Sequence, residues 1–197
     1  MDSTGNDKHN QIMDTAKELF WKYGIKRVTV EEICREAEVS KATFYKYFSN
    51  KTGLVKQLMT RVGEEALAKY DRIWNQDIPY PEKVKGFMKL KKEQTDNMSR
   101  EFYDDYMLHA DPELAEFLAS QTAGYMKRLR DDYATAQKRG DIRKNIKPEF
   151  IIYMINHLYD LASSDEHLIN MYDSPQELAL EILDFFLYGI MPHDESE

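Results

Sequence analysis

From Lys41 to Phe48 the chain reads Lys-Ala-Thr-Phe-Tyr-Lys-Tyr-Phe, which interleaves two cations and two phenols with small residues. On a helix, Phe44 and Phe48 are i,i+4 partners that turn inward with Ile33, Cys34, Ala37 and Val39. Lys41, Ala42, Thr43, Tyr45, Lys46 and Tyr47 are then left facing out. Outward lysines are point charges for phosphate oxygens, and tyrosine and threonine hydroxyls are neutral donors for phosphates or base edges. This spacing suits non-covalent recognition of nucleic acid.

Other chemistries have little to stand on. The five histidines (His9, His109, His157, His167 and His193) include no His-x3-His pair; the nearest approaches are His157 with Asp160, and Asp165-Glu166-His167. There is no Gly-rich phosphate loop, no Gly-x-Ser-x-Gly turn and no Cys-x-x-Cys. Asp104-Asp105 and Asp131-Asp132 read as solvated faces. No catalytic residue, metal site or cofactor is expected.

The elements that must position the Lys41–Phe48 segment are legible from periodicity and caps. Ile12, Ala16, Leu19, Phe20 and Tyr23 form one helical stripe that Gly24 ends. Thr29-Val30-Glu31-Glu32 is a capping box, opening a short helix to about Ala37. Ser40 is the next N-cap, opening a second short helix to about Phe48. Two capped helices three residues apart suit the sharp crossing of a helix-turn-helix, which leaves the second free to enter a groove. From Lys51 the period runs to Trp74, where Asp77-Ile78-Pro79-Tyr80-Pro81 breaks it. Further helices are expected over about 82–97, 99–110, 112–139, 148–163 and 175–188, with almost no strand signal. The expected fold is all-α.

Composition sets the frame. The 197 residues suffice for one large domain or a module joined to a larger body, and 8 Gly and 6 Pro exclude linker-like compositions. Net charge is −8, but residues 1–60 carry 10 Lys and Arg against 8 Asp and Glu, while residues 61–197 carry 17 against 27. A mildly basic N-terminal segment on an acidic body is the asymmetry of a nucleic-acid-binding arm. Cys34 is the sole cysteine, no basic-then-apolar leader occurs, and mean hydropathy is −0.67. The expectation is a cytoplasmic chain without a membrane span or partner.

These residues resemble the TetR family of bacterial transcriptional regulators. The resemblance rests on Gly24, Thr29-Val30, Ile33-Cys34, Ala37-Glu38-Val39-Ser40, Thr43-Phe44-Tyr45, Tyr47-Phe48 and Ser49-Asn50-Lys51 with Leu54, at fixed spacing over about residues 8–60. It implies a three-helix helix-turn-helix DNA-binding domain at 1–55, a larger helical ligand-binding and dimerisation domain at 56–192, and a frayed tail at 193–197. Lys41, Tyr45 and Tyr47 fall where the family contacts phosphates, and Ala42, Thr43 and Lys46 where it reads bases. Thr29 and Lys51 look like phosphate contacts at helix N-termini. Two positions depart from the pattern. Glu38 replaces the turn glycine, a site wanting positive φ at a cost of about 1 kcal/mol. Cys34 replaces an alanine and is expected to pack as a small buried hydrophobe.

The resemblance also implies double-stranded DNA with a palindromic operator, a small-molecule effector and a homodimer as partners. Tyr103, Tyr106, Met107, Met126, Met154 and His157 are the candidates for an adaptable, largely apolar effector pocket. The apolar stripes in residues 148–163 and 175–188 are the candidate dimer faces, and the 24-residue Lys51–Trp74 helix, about 36 Å long at 1.5 Å per residue, is the candidate lever between effector and DNA. The function expected is a repressor released by a lipophilic or aromatic effector. The alternative is a helical enzyme or carrier acting on a lipophile without DNA.

Overall fold

The computed structural model describes residues 3–95 and 97–191, so the 193–197 tail expectation lies outside the described residues. Ten α-helices occur among them: α1 (Ser3–Tyr23), α2 (Val30–Glu36), α3 (Lys41–Tyr47), α4 (Lys51–Trp74), α5 (Tyr80–Thr95), α6 (Arg100–Tyr103), α7 (Pro112–Arg139), α8 (Pro148–Ser164), α9 (Glu166–Ile169) and α10 (Pro175–Gly189). No strand occurs among the described residues, so the fold is all-α as expected. The Thr29 and Ser40 caps act where the sequence places them: Thr29 and Glu32 form the reciprocal capping box, and Ser40 Oγ accepts from the Thr43 N–H at 3.0 Å. Ser174 caps α10 in the same way, its Oγ accepting from the Glu177 N–H at 3.2 Å. Pro148 and Pro175 occupy first turns, where a missing N–H costs nothing.

Two elements differ from expectation. The helix anticipated over 99–110 is a single α-turn, α6, followed by a π-helical turn at Asp104–Leu108, whose wider ring is closed by the His109 N–H on the Asp104 carbonyl at 2.8 Å. The poorer local geometry is offset by tertiary contact, because Asp105 in that turn accepts from the Lys26 N–H at 2.8 Å. The short α9 was also not anticipated; Asp165 caps it by accepting from the Leu168 N–H at 3.0 Å.

Packing divides the chain into two compact units. The first comprises residues up to Leu67 together with Asn97–Phe117. Ile12, Ala16 and Phe20 of α1, Ile33 of α2, Phe44 of α3, Phe48, and Leu54 and Leu58 of α4 build its core, and each is buried. Segment 97–117 docks on α1: the Ser99 N–H donates to the Trp21 carbonyl at 2.8 Å, the Trp21 and Phe102 rings lie 4.3 Å apart, and Phe102 stacks on Tyr106 at 5.6 Å. The second unit comprises residues 68–95 and 118–191 of the described chain. Its core gathers Trp74, Val84, Leu129, Tyr133, Ala136, Ile142, Ile151 and Leu187. Buried Lys83 donates to the Trp74 carbonyl at 2.8 Å, placing a cation on the last turn of α4, where the helix dipole favours it.

The stripes on α8 and α10 split between inside and outside. Ile151, Leu178 and Leu187 enter the core of the second unit, whereas Phe150, Tyr153, Leu161, Phe185 and Tyr188 are exposed, Phe185 by 82%. Between the two helices lies a groove of about 170 Å³, lined by Ile146, Phe150, Met154, Phe185 and Ile190, with Arg143 at its edge. Among the described residues, no helix is long and apolar enough to cross a membrane.

Candidate nucleic-acid interface

The α2–α3 pair is built on a tight reversal. Ala37 ends α2 with its N–H on the Ile33 carbonyl, and the Val39 N–H reaches back to the Cys34 carbonyl at 2.9 Å. The residue between them, Glu38, is in the left-handed region with φ 48°. This Schellman-type closure is the one that favours glycine. The positive φ expected at this position is therefore present, carried by a residue with a Cβ. Glu38→Gly is expected to raise stability by about 0.5–1 kcal/mol, the relieved strain exceeding the entropy that glycine adds to the unfolded chain. Urea denaturation of the two proteins measures it, and a destabilised glycine variant would show that the turn carries no strain.

On α3, Phe44 is buried, Phe44 and Phe48 lie 5.4 Å apart, and Ala42, Tyr45 and Lys46 are exposed, Tyr45 by 56%. Tyr47 and Thr43 are half-buried. Thr43 shares a 2.9 Å hydroxyl–hydroxyl hydrogen bond with Ser40, so its side chain belongs in part to the cap. Tyr47 meets the His9 ring of α1 edge-on at 5.8 Å, and the same imidazole stacks on Phe48 at 5.0 Å and hydrogen-bonds Gln57 of α4 at 3.1 Å. His9 thus wedges α3 against α1 and α4, a role with no signal in the polar segment where it occurs. Lys46 Nζ stands 5.7 Å from the Tyr47 ring centroid.

The remaining candidates are engaged locally. Lys41 is ion-paired with Glu31 of α2, which holds the Glu31 carboxyl below and the Lys41 ammonium above their ordinary pKa values. The Thr29 hydroxyl accepts from the Glu32 N–H at 3.1 Å and donates to the Glu32 carboxylate, and that carboxylate also accepts from the Thr29 N–H at 2.9 Å. The Lys51 ammonium turns inward and donates to the carbonyls of Ile25 at 2.8 Å, Val28 at 2.9 Å and Lys26 at 3.3 Å. Burial lowers its pKa, with Asp105 and Glu32 pulling the other way. All three ammonium donors are thereby occupied, and the Lys51 side chain braces the loop entering α2. Asp105 holds the same loop from segment 97–117, accepting from the Lys26 N–H and standing 3.5 Å from Lys26 Nζ. Gly24 has φ 82° there, and a Cβ on it would lie 2.8 Å from Asp105 Oδ2. Cys34 is buried, and burial raises its thiol pKa, the state of a packing residue rather than a reactive thiolate.

The six effector-pocket candidates fall three to each unit. In the first, Tyr106 is buried against Phe102, with Tyr103 and Met107 half-buried beside it in sequence. In the second, Met126 packs on the core, Met154 lines the groove between α8 and α10, and His157 is exposed with its ring stacked on Tyr153 at 6.1 Å. No group of three or more His, Cys, Asp or Glu side chains positioned for a metal ion occurs among the described residues.

Comparison with known proteins agrees with this geometry. Residues 12–58 match the family described as "Bacterial regulatory proteins, tetR family", a span covering most of α1, all of α2 and α3, and the start of α4. Over 155 residues, 78% of this chain and 81% of the relative, the chain is 23% identical to the uncharacterized HTH-type transcriptional regulator YhgD of Bacillus subtilis. Among solved structures, a putative transcriptional regulator from Saccharomonospora viridis in complex with choline superposes with a TM-score of 0.71 at 15% identity, covering 95% of this chain and 100% of that one. The regulator FadR from Bacillus subtilis in complex with stearoyl-CoA gives 0.66 at 19% identity, covering 92% and 98%. Residues 12–58 thus carry the helix-turn-helix of the TetR family of bacterial regulatory proteins, and the fold is shared with transcriptional regulators along nearly the whole length of the chain.

Proposed function

We propose that the chain is a homodimeric repressor that binds a palindromic operator and is released by a small lipophilic or aromatic effector in the cytoplasm. The observation that carries the DNA part is the exposed face of α3, where Ala42, Tyr45 and Lys46 project from a short helix anchored by fully buried Phe44. Lys41 and Tyr47 flank them, Thr29 stands at the start of α2 with its hydroxyl and its N–H both engaged with Glu32, and Lys51 contributes a main-chain N–H at the start of α4, since its ammonium is engaged in the fold. Residues 1–55 then act as the DNA-reading domain and 56–192 as the effector and dimerisation domain. Support for an effector comes from the ligand complexes of similarly folded regulators, one with choline and one with stearoyl-CoA. The tyrosines and methionines of the body favour the apolar end of that range.

The direct test is selection of DNA fragments from a random pool by the purified protein, followed by titration at several salt concentrations. An inverted repeat with half-sites about 34–36 Å apart supports the reading. Recovery of no sequence, with no salt-dependent binding, removes it. On the selected site, Tyr45→Ala is expected to cost about 1–2 kcal/mol of binding while leaving helicity and melting temperature unchanged, because the ring projects into solvent. Fluorescence anisotropy checks this, and full operator affinity in the variant would remove Tyr45 from the interface.

A further inference from the structure

Lys41 opens α3, yet its ammonium is held by a carboxylate that reaches across from α2. The fold does not depend on this pair. Both side chains are largely exposed, Lys41 by 55% and Glu31 by 61%, and an exposed pair adds little to stability. The start of α2 is already secured by Thr29 and Glu32. What the pair does change is the charge presented to DNA. In a helix-turn-helix the first helix crosses the phosphate backbone while the second enters the groove. Glu31, exposed in the first turn of α2, is therefore a negative charge where phosphates approach, and it neutralises the cation at the start of the recognition helix. Neighbouring cations are engaged as well, Lys26 with Asp105 and Lys51 with loop carbonyls.

We propose that Glu31 tempers the affinity of the interface: its carboxylate withholds Lys41 from DNA phosphates and so lowers the sequence-independent part of binding. The inference rests on the DNA-binding reading above. Sequence-independent binding is almost wholly phosphate neutralisation with release of counterions, so each cation paired internally is subtracted from it. A seated operator complex shares this phosphate contribution and adds base contacts at Ala42, Thr43 and Lys46, so the pair weakens binding to operator and to arbitrary DNA by the same factor and leaves the ratio between them to the base contacts.

The experiment uses the full chain and a fluorescent duplex of arbitrary sequence, titrated across a salt series, with the selected operator alongside. Glu31→Gln keeps the size of the side chain and removes its charge. It is expected to bind the arbitrary duplex about fivefold to tenfold tighter at about 0.1 M salt, to steepen the salt slope by about one unit per protomer, and to tighten binding to the operator by the same factor. Adding Lys41→Gln to Glu31→Gln is expected to return both affinity and slope to those of the parent. Unchanged non-specific binding in Glu31→Gln overturns the proposal, as does a gain that persists in the double variant, since Glu31 would then act by repulsion alone. A parent chain with no salt-dependent binding to any duplex overturns the DNA reading itself, and the proposal with it.

Discussion

Replacing Phe185 by aspartate is expected to leave a folded monomer whose operator affinity is at least about 100-fold weaker. Phe185 is 82% exposed on α10, beside Tyr188 and facing the groove that Phe150 of α8 also lines. An aromatic ring that open to water contributes little to the stability of its own chain, so the substitution should shift it by only about 0.5 kcal/mol. A two-fold interface is different, because one self-complementary patch contributes twice and a buried charge is introduced on both sides. Losing the dimer converts two linked half-site contacts into independent ones and removes the gain from their effective concentration, which is commonly 10² or more. Sedimentation equilibrium at micromolar concentration checks the assembly and anisotropy the affinity. A parent chain that already sediments at 23.3 kDa with full operator affinity would show that the exposed faces of α8 and α10 are not a dimer seam.

Lys51→Met is the second substitution of large expected effect, and it acts on the fold. Methionine keeps the length and packing of the stem but leaves the carbonyls of Ile25, Lys26 and Val28 without their cationic donor. Hydrogen bonds to a charged donor are worth about 1.5–3 kcal/mol, and water reaches part of this site, so a loss of about 2–3 kcal/mol is expected. The segment braced by Lys51 and Asp105 sets where α2 starts, so the operator affinity should fall with the melting temperature. The slope of affinity against salt should stay as it is. A reduced slope with unchanged stability would place the Lys51 ammonium on a phosphate instead.

The contrast between these positions shows how far the sequence reaches. Thr29, Glu32 and Ser40 were readable because a cap acts between residues three apart, and no other part of the chain can alter that spacing. The inward face of α3 was readable for the same reason: Phe44 and Phe48 stand one turn apart, and the outward positions are what remains. The strained Glu38 turn followed from the close spacing of Ala37 and Ser40, three positions apart, together with the resemblance that marks a glycine site there. Lys51 beside a helix start reads as a phosphate ligand by the same local logic, and here that logic does not reach far enough. Its partners lie 23 to 26 residues earlier, and which carbonyls its stem can reach is set by how α4 crosses the loop between α1 and α2.

Longer separations were not legible at all. Asp105 and Lys26 are 79 residues apart, and only the docking of segment 97–117 on α1 brings them together and makes a π-helical turn tolerable where periodicity calls for an α-helix. Periodicity likewise marks α8 and α10 as apolar without saying which side of each stripe the chain can cover for itself. Ile151 and Phe150 are adjacent and equally apolar, yet one is buried and the other is half in water. The sequence by itself determined the long helices, the caps of α2 and α3 and the outward chemistry of α3, because those depend on neighbours along the chain. Tertiary structure decided which charges remain free for DNA and which apolar surface remains uncovered, because both depend on what the rest of the fold brings within a few ångströms.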